Sequence, residues 1–221
     1  MPDDGGSTRK PVLPAAQCIP PAQLQFSGST VRAFIAVALP ERQIEVLSRL
    51  VRDWQSRPGN RAVRWARRDQ CHLTLRFLGN VPEMDLPRLI TAITGATAGV
   101  SAFDLWLDGL GGFPHSDHPR VLWAGLGGAL DRLGELQKRI ATATAAFGDP
   151  VETRPFQAHL TLGRVYPGHR DARRLGELLA AGRLAHSDPW PVREVELVQS
   201  ELRPEGAHYT VLAQAALGGA G

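Results

Sequence analysis

Two identical tetrapeptides, His72-Leu73-Thr74-Leu75 and His159-Leu160-Thr161-Leu162, carry residue types suited to acid–base chemistry. Each lies in a stretch that reads as a β-strand. Side chains alternate across a strand, so a histidine and a threonine two apart share one face and the leucines take the other. The leucines then anchor each strand in a core, and each His-Thr pair faces whatever lies in front of its sheet. If the two strands oppose one another, two imidazoles and two hydroxyls meet. A neutral imidazole can take the proton of a nucleophile while the other, as imidazolium, protonates a leaving oxygen. Threonine hydroxyls can donate to phosphate oxygens where charge builds up. This set suits attack on a phosphate ester and requires no metal or cofactor. One such pair would serve as well as a satisfied core motif; two in matching contexts point to chemistry.

The surrounding elements must bring the pairs together. Val31 to Leu39 is an apolar, β-branched run stopped by Pro40, which suits a buried strand. From Glu41 to Trp54, Ile44, Leu47, Leu50, Val51 and Trp54 recur at helical spacing. Short strands are expected at Ala62–Trp65 and Cys71–Leu78, the second closed by Gly79-Asn80. A helix over 82–98, a strand at Phe103–Leu107 and a turn-rich loop from Gly109 to His118 follow. The rest reads as a strand at Val121–Ala124, a helix at Leu130–Phe147, a strand at Phe156–Val165 and a helix at Asp171–Ala181. Val192–Gln199 and Tyr209–Leu212 close it as a hairpin. Short strands adjacent in sequence favour antiparallel pairing, with helices covering one face, so the fold class expected is α+β. Strand and helix groups recur in both halves, which points to an internal duplication.

The chain has 221 residues, 43% hydrophobic and 21% charged, enough for one large domain or two small lobes. No apolar run approaches the roughly 20 residues of a membrane-spanning helix, and the acidic, polar start lacks the pattern of a signal peptide. With only Cys18 and Cys71, neither a disulfide scaffold nor a cysteine-rich zinc site is available, and a cytoplasmic location is expected. The net charge of +3 is modest, but of 25 basic residues only Lys10 and Lys138 are lysine. Arginine binds phosphate bidentately, which suits a phosphorylated ligand, although codon bias explains the excess as well. Residues 1–29 hold five prolines and no hydrophobic period, and read as a flexible extension ahead of a single bilobal domain over 30–221.

Residues 32 to 214 resemble the two-histidine phosphoesterases, whose signature is a repeated His-x-Thr-x. Within that group the similarity is to the RNA 2′,3′-cyclic phosphodiesterases, also described as 2′-5′ RNA ligases. The resemblance is carried by Phe34-Ile-Ala-Val-Ala-Leu-Pro40, His72-Leu-Thr-Leu-Arg-Phe-Leu-Gly79, Arg120-Val-Leu-Trp-Ala-Gly125, Phe156-Gln-Ala-His-Leu-Thr-Leu-Gly-Arg164 and Ser200-Glu-Leu-Arg-Pro-Glu-Gly206. It implies two antiparallel sheets facing a central cleft, with helices on the outer faces. It also implies hydrolysis of RNA 2′,3′-cyclic phosphate ends to 2′-phosphate ends; the expected partner is RNA with such ends, and the chain is expected to act as a monomer. His72 and His159 are then the catalytic pair, Thr74 and Thr161 hold the phosphate, Arg164 contacts phosphate and Phe77 contacts a nucleobase. Both Arg164 and Phe77 stand an odd number of positions from their histidine, so a bulge or strand end must re-aim them. Which histidine is acid and which is base does not follow from the sequence; the order expected has His159 activating water and His72 protonating the departing 3′ oxygen.

Weaker signals remain beside these. Cys71 suggests a thiol nucleophile, but alternation sets it on the face opposite His72. His115, Asp117 and His118 have chelating spacing in a Gly/Pro loop that reads more simply as solvated. Trp65 is the tryptophan best placed to stack a base, and Arg64, Arg67 and Arg68 could line a cleft mouth or form a solvated turn. The same groups could run the reaction backwards as 2′-5′ RNA ligation, and a non-catalytic RNA-end binder is the rival from another class.

Overall fold

The computed structural model describes residues 29–57, 60–167, 172–184, 187–204 and 206–218. The proline-rich segment up to residue 28, including Cys18, lies outside them. Nine strands and four helices alternate along the described chain: β1 (Thr30–Ala38), α1 (Glu41–Gln55), β2 (Val63–Trp65), β3 (His72–Pro82), α2 (Leu86–Thr97), β4 (Phe103–Phe113), β5 (Val121–Gly128), α3 (Leu130–Ala143), β6 (Leu160–Val165), α4 (Ala172–Ala181), β7 (Trp190–Val192), β8 (Glu194–Arg203) and β9 (Gly206–Ala216). They form a four-stranded sheet, β3-β1-β8-β9, and a five-stranded sheet, β2-β6-β5-β4-β7, with every pairing antiparallel. The expected α+β architecture of two antiparallel sheets is the one found. None of the described helices is long and apolar enough to cross a membrane.

The duplication extends to strand register. β1 sets Phe34 opposite Phe77 and Ala36 opposite Thr74 on β3. At the spacing that separates the two tetrapeptides, β5 sets Val121 opposite Arg164 and Trp123 opposite Thr161 on β6. The helix after each of these strands crosses to the other sheet. Trp54 of α1 meets Trp65 of β2 with ring centroids 6.1 Å apart, while Gln137 of α3 donates to the Leu75 carbonyl of β3 at 3.3 Å. Apolar residues from both halves, among them Ile35, Leu73, Leu105, Leu122, Leu136 and Leu162, pack into one buried core.

Several strands run further than their sequence suggests. β3 passes Gly79-Asn80 and ends at Pro82, and β4 runs through to Phe113, so Gly109–Phe113 is not a loop. Gly111 and Gly112 there are packing positions rather than breakers. A Cβ on Gly111 would lie 2.1 Å from the Trp123 ring across the sheet, so the indole needs that bare backbone. β5, β8 and β9 are likewise longer than expected, β7 is an additional short strand, and α3 stops at Ala143. β6 begins at Leu160 rather than near Phe156, leaving His159 at its entrance.

Candidate active site

A cleft of about 330 Å³ opens between the two sheets, and His72, Thr74, His159 and Thr161 all line it. The leucines between and after them, Leu73, Leu75, Leu160 and Leu162, are buried on the opposite faces. Alternation therefore does what the spacing predicts on each strand, and the sheets bring the two pairs face to face.

Both imidazoles are oriented from below in the same way. His159 Nδ1 lies 2.8 Å from the Gln157 carbonyl, to which it donates, leaving Nε2 as the free nitrogen. His72 is hydrogen-bonded to the backbone of Gln70, its counterpart in the first half. Gln70 and Gln157 stand two residues before each histidine, so the repeat is Gln-x-His-Leu-Thr-Leu. The glutamines are a signal in the sequence too, since the identity of the two copies resumes two positions upstream of each histidine.

The two rings differ in their walls. His72 stacks on Phe34 with centroids 4.5 Å apart and meets the edge of Tyr209 at 5.3 Å. Among the described residues, the ring contact of His159 is with the edge of Phe113, at 5.0 Å. Burial lowers the pKa of His72 to about 4; the Gln70 backbone opposes this and nearby His159 adds to it. His72 is thus neutral at pH 7. In the same wall, burial pushes the Tyr209 phenol up, with the Arg164 charge opposing, so its hydroxyl keeps its proton. We expect the His72 resonances in an NMR titration to hold still between pH 8 and 5. Because the unfolded chain binds that proton first, at about 6.5, folding stability should decline as pH falls from about 6.5 towards 4. A His72 signal titrating near 6.5 would contradict the burial argument.

Phe77 and Arg164 also line the cleft. A bulge in each strand puts them there. β1 pairs Ala36 with Thr74 and Ile35 with Arg76, so Leu75 is the extra residue; β5 pairs Trp123 with Thr161 and Leu122 with Gly163, so Leu162 is the extra residue. A bulged residue shifts the pleat by one, so a position odd in count becomes even in facing. The re-aiming that their odd spacing demands occurs at equivalent leucines in both halves.

The weaker candidates divide. Cys71 borders a separate hollow of about 180 Å³ beneath α1, on the side away from His72, and burial pushes its thiol up. His118 Nδ1 lies 3.3 Å from Asp117 with both side chains well exposed, and among the described residues no third ligand joins them. Trp65 and Arg64 line the cleft. Arg68 instead pairs with Glu41 and Glu45 of α1, and Arg67 pairs with Asp69 and donates to the Ala207 carbonyl. Arg32 and Asp149 also line the cleft without having been singled out in the sequence, and Ser200 and Leu202 of the Ser200–Gly206 stretch line it without having been given a role. Arg32 and Asp149 come from a strand and a loop distant along the chain, and no local pattern marks them.

Two facing sheets with a His-Thr pair on each side of one cleft define a two-histidine phosphoesterase architecture. The sequence model of the 2′-5′ RNA ligase superfamily matches residues 40–203, and the chain belongs to that family. Among its relatives, an RNA 2′,3′-cyclic phosphodiesterase of Methanothermobacter thermautotrophicus is 32% identical over 81% of this chain and 95% of its own length. One of Aquifex aeolicus is 30% identical over 86% and 98%. Of solved structures, TT0787 of Thermus thermophilus superposes with a TM-score of 0.65 at 32% identity, covering 85% of this chain and 98% of that one. E. coli LigT, solved with 3′-AMP, matches with the same TM-score and coverage at 27% identity.

Proposed function

We propose that this chain hydrolyses RNA 2′,3′-cyclic phosphate ends to 2′-phosphate ends by acid–base catalysis without a metal. The observation that carries this reading is the duplicated His-Thr pair lining one cleft from opposite sheets. Relatives named RNA 2′,3′-cyclic phosphodiesterase, matched over nearly their whole length, support the substrate class.

In the reaction, His159 takes a proton from water as the water oxygen bonds to phosphorus. The bond from phosphorus to the 3′ oxygen breaks, and His72 gives that oxygen a proton. Thr74 and Thr161 donate to the non-bridging oxygens, Arg164 contacts phosphate and Phe77 stacks the base. The negative charge of an arriving phosphate opposes the effect of burial on His72, raises its pKa and favours the imidazolium that the acid role requires. Binding of inorganic phosphate at pH 6 is therefore expected to take up a proton, measurable by calorimetry in buffers of different ionisation enthalpy.

Thr74→Ala and Thr161→Ala are each expected to slow turnover by about 10-fold or more, the scale of losing one donor to developing charge. Unchanged rates in both would remove the threonines from the mechanism.

The decisive experiment incubates an RNA oligonucleotide ending in a 2′,3′-cyclic phosphate with the protein in EDTA, followed by mass and end-specific enzymatic analysis. A 2′-phosphate product is expected. A joined product in the presence of a 5′-hydroxyl acceptor would favour the ligase direction that the family's description names. Tight binding with no conversion would favour an RNA-end binder. Both His-Thr pairs come from the same chain, which is compatible with a monomer, and the few cysteines fit the cytoplasm.

A further inference from the structure

Among the described residues that line the cleft, Asp149 is the one acid; the cations there are Arg32, Arg64 and Arg164. A carboxylate repels phosphate, so in a cleft that takes phosphate esters it works against the substrate unless it meets a part that carries donors. Within the protein it has no such partner. Asp149 is exposed, and among the described residues its carboxylate has neither a cation nor a hydrogen-bond donor.

The backbone beneath that carboxylate is fixed. The Asp149 amide donates to the Leu78 carbonyl at 2.7 Å, and its carbonyl accepts from the buried Arg76 guanidinium at 3.0 Å. These bonds hold the carboxylate over the bare backbone of Gly79, where an added Cβ would collide with it. Phe77 and Gly79 flank Leu78, whose side chain is buried, and both line the cleft. The carboxylate therefore stands one pleat, roughly 7 Å, along β3 from Phe77. Phe77 is 57% exposed, an open platform for a base. A base stacked on that ring projects its edge sideways, and an acid beside the platform meets the edge.

A carboxylate offers two oxygens that only accept. Guanine alone of the four bases presents two adjacent N–H donors, N1 and N2, on its Watson–Crick edge, and they match that fork. Adenine and cytosine set a ring-nitrogen acceptor beside their amino group, and uracil sets its one donor between two carbonyls. Each of those leaves a carboxylate oxygen facing a lone pair.

We propose that Asp149 is a specificity-determining residue that reads guanine on the terminal nucleotide, so that the preferred substrate ends in a guanosine 2′,3′-cyclic phosphate. This rests on the proposed function for the reaction and for Phe77 as the platform.

The test measures equilibrium binding of guanosine, adenosine and uridine 2′-phosphates, together with kcat/KM on the corresponding 2′,3′-cyclic phosphates. The wild-type protein is expected to favour guanosine by about 10-fold or more, the scale of hydrogen bonds to charged groups. Asp149→Asn keeps the backbone bonds and should lose most of that preference. Asp131→Asn, the same change of charge on α3 away from the cleft, should keep it. Equal binding of the guanosine and adenosine ligands by the wild type, or a guanosine preference that survives in Asp149→Asn, overturns the assignment. A guanosine preference in binding without opening of any cyclic phosphate upholds it and counts against the proposed reaction instead.

Discussion

Replacing His72 or His159 by alanine is expected to lower kcat by about 10³-fold or more, within the range that one positioned acid or base contributes. Both variants should fold. Each ring sits at the cleft wall rather than among the buried leucines, and the leucines that hold the strands are untouched. The two variants should then part company on a second substrate. A p-nitrophenyl phosphodiester departs without needing a proton, so a protein lacking its general acid recovers much of its rate while one lacking its base does not. With His72 as acid, the loss in His72→Ala should shrink on that substrate and the loss in His159→Ala should persist. The reverse pattern would exchange the two roles. Near wild-type kcat on RNA in either variant would end the two-histidine mechanism.

Arg76→Met is expected to destabilise the fold by about 3 kcal/mol, the lower end of the cost of breaking a buried charged network from one side. That loss corresponds to a fall in Tm of roughly 6–12 °C for a protein of this size. Arg76 follows the bulge at Leu75 and is buried beneath β3, with no carboxylate partner among the described residues. Its guanidinium donates to Thr144 Oγ1, to the Phe147 carbonyl at 3.1 Å and to the Asp149 carbonyl at 3.0 Å. A cation there also meets the negative end of the α3 dipole. Methionine fills much of the volume and leaves those acceptors without a donor. The segment it holds passes close to β3, since a Cβ on Gly148 would lie 1.9 Å from the Leu78 carbonyl oxygen. Thermal unfolding of Arg76→Met within a degree of wild type would show that the network carries no net stability.

The catalytic candidates were legible because they are repeated. One His-x-Thr is ambiguous, but its recurrence at matching strand positions makes each copy the control for the other. The need for a bulge was also legible, from the odd spacing of Phe77 and Arg164. Its place was not, since an extra leucine in a run of leucines changes no hydrophobic pattern. The strand ends at Gly79 and Gly109 were misjudged because glycine is read locally as a breaker. At Gly109, where φ is +76°, it instead sits at an irregularity of β4 between Leu107 and Leu110, and at Gly79 it makes room for a partner distant in sequence. At Gly79, where φ is +62°, an added Cβ would collide with the Asp149 carboxylate. The same distance hides Phe34 and Tyr209 as the walls that set the proton affinity of His72.

The crossing of the helices has a consequence for how the chain reaches this state. Neither half is a folding unit, because α1 covers the sheet opposite the one β1 belongs to and α3 does the converse. β1 lies between β3 and β8 and pairs Ala33 with Gln199, so its second edge stays open until almost the whole chain has emerged from the ribosome. Long loop closures of this kind slow folding, and an apolar strand with an open edge is exposed to misassembly meanwhile. Cutting the chain between β4 and β5 should give two fragments that are each unstructured alone and that regain the cleft only when mixed.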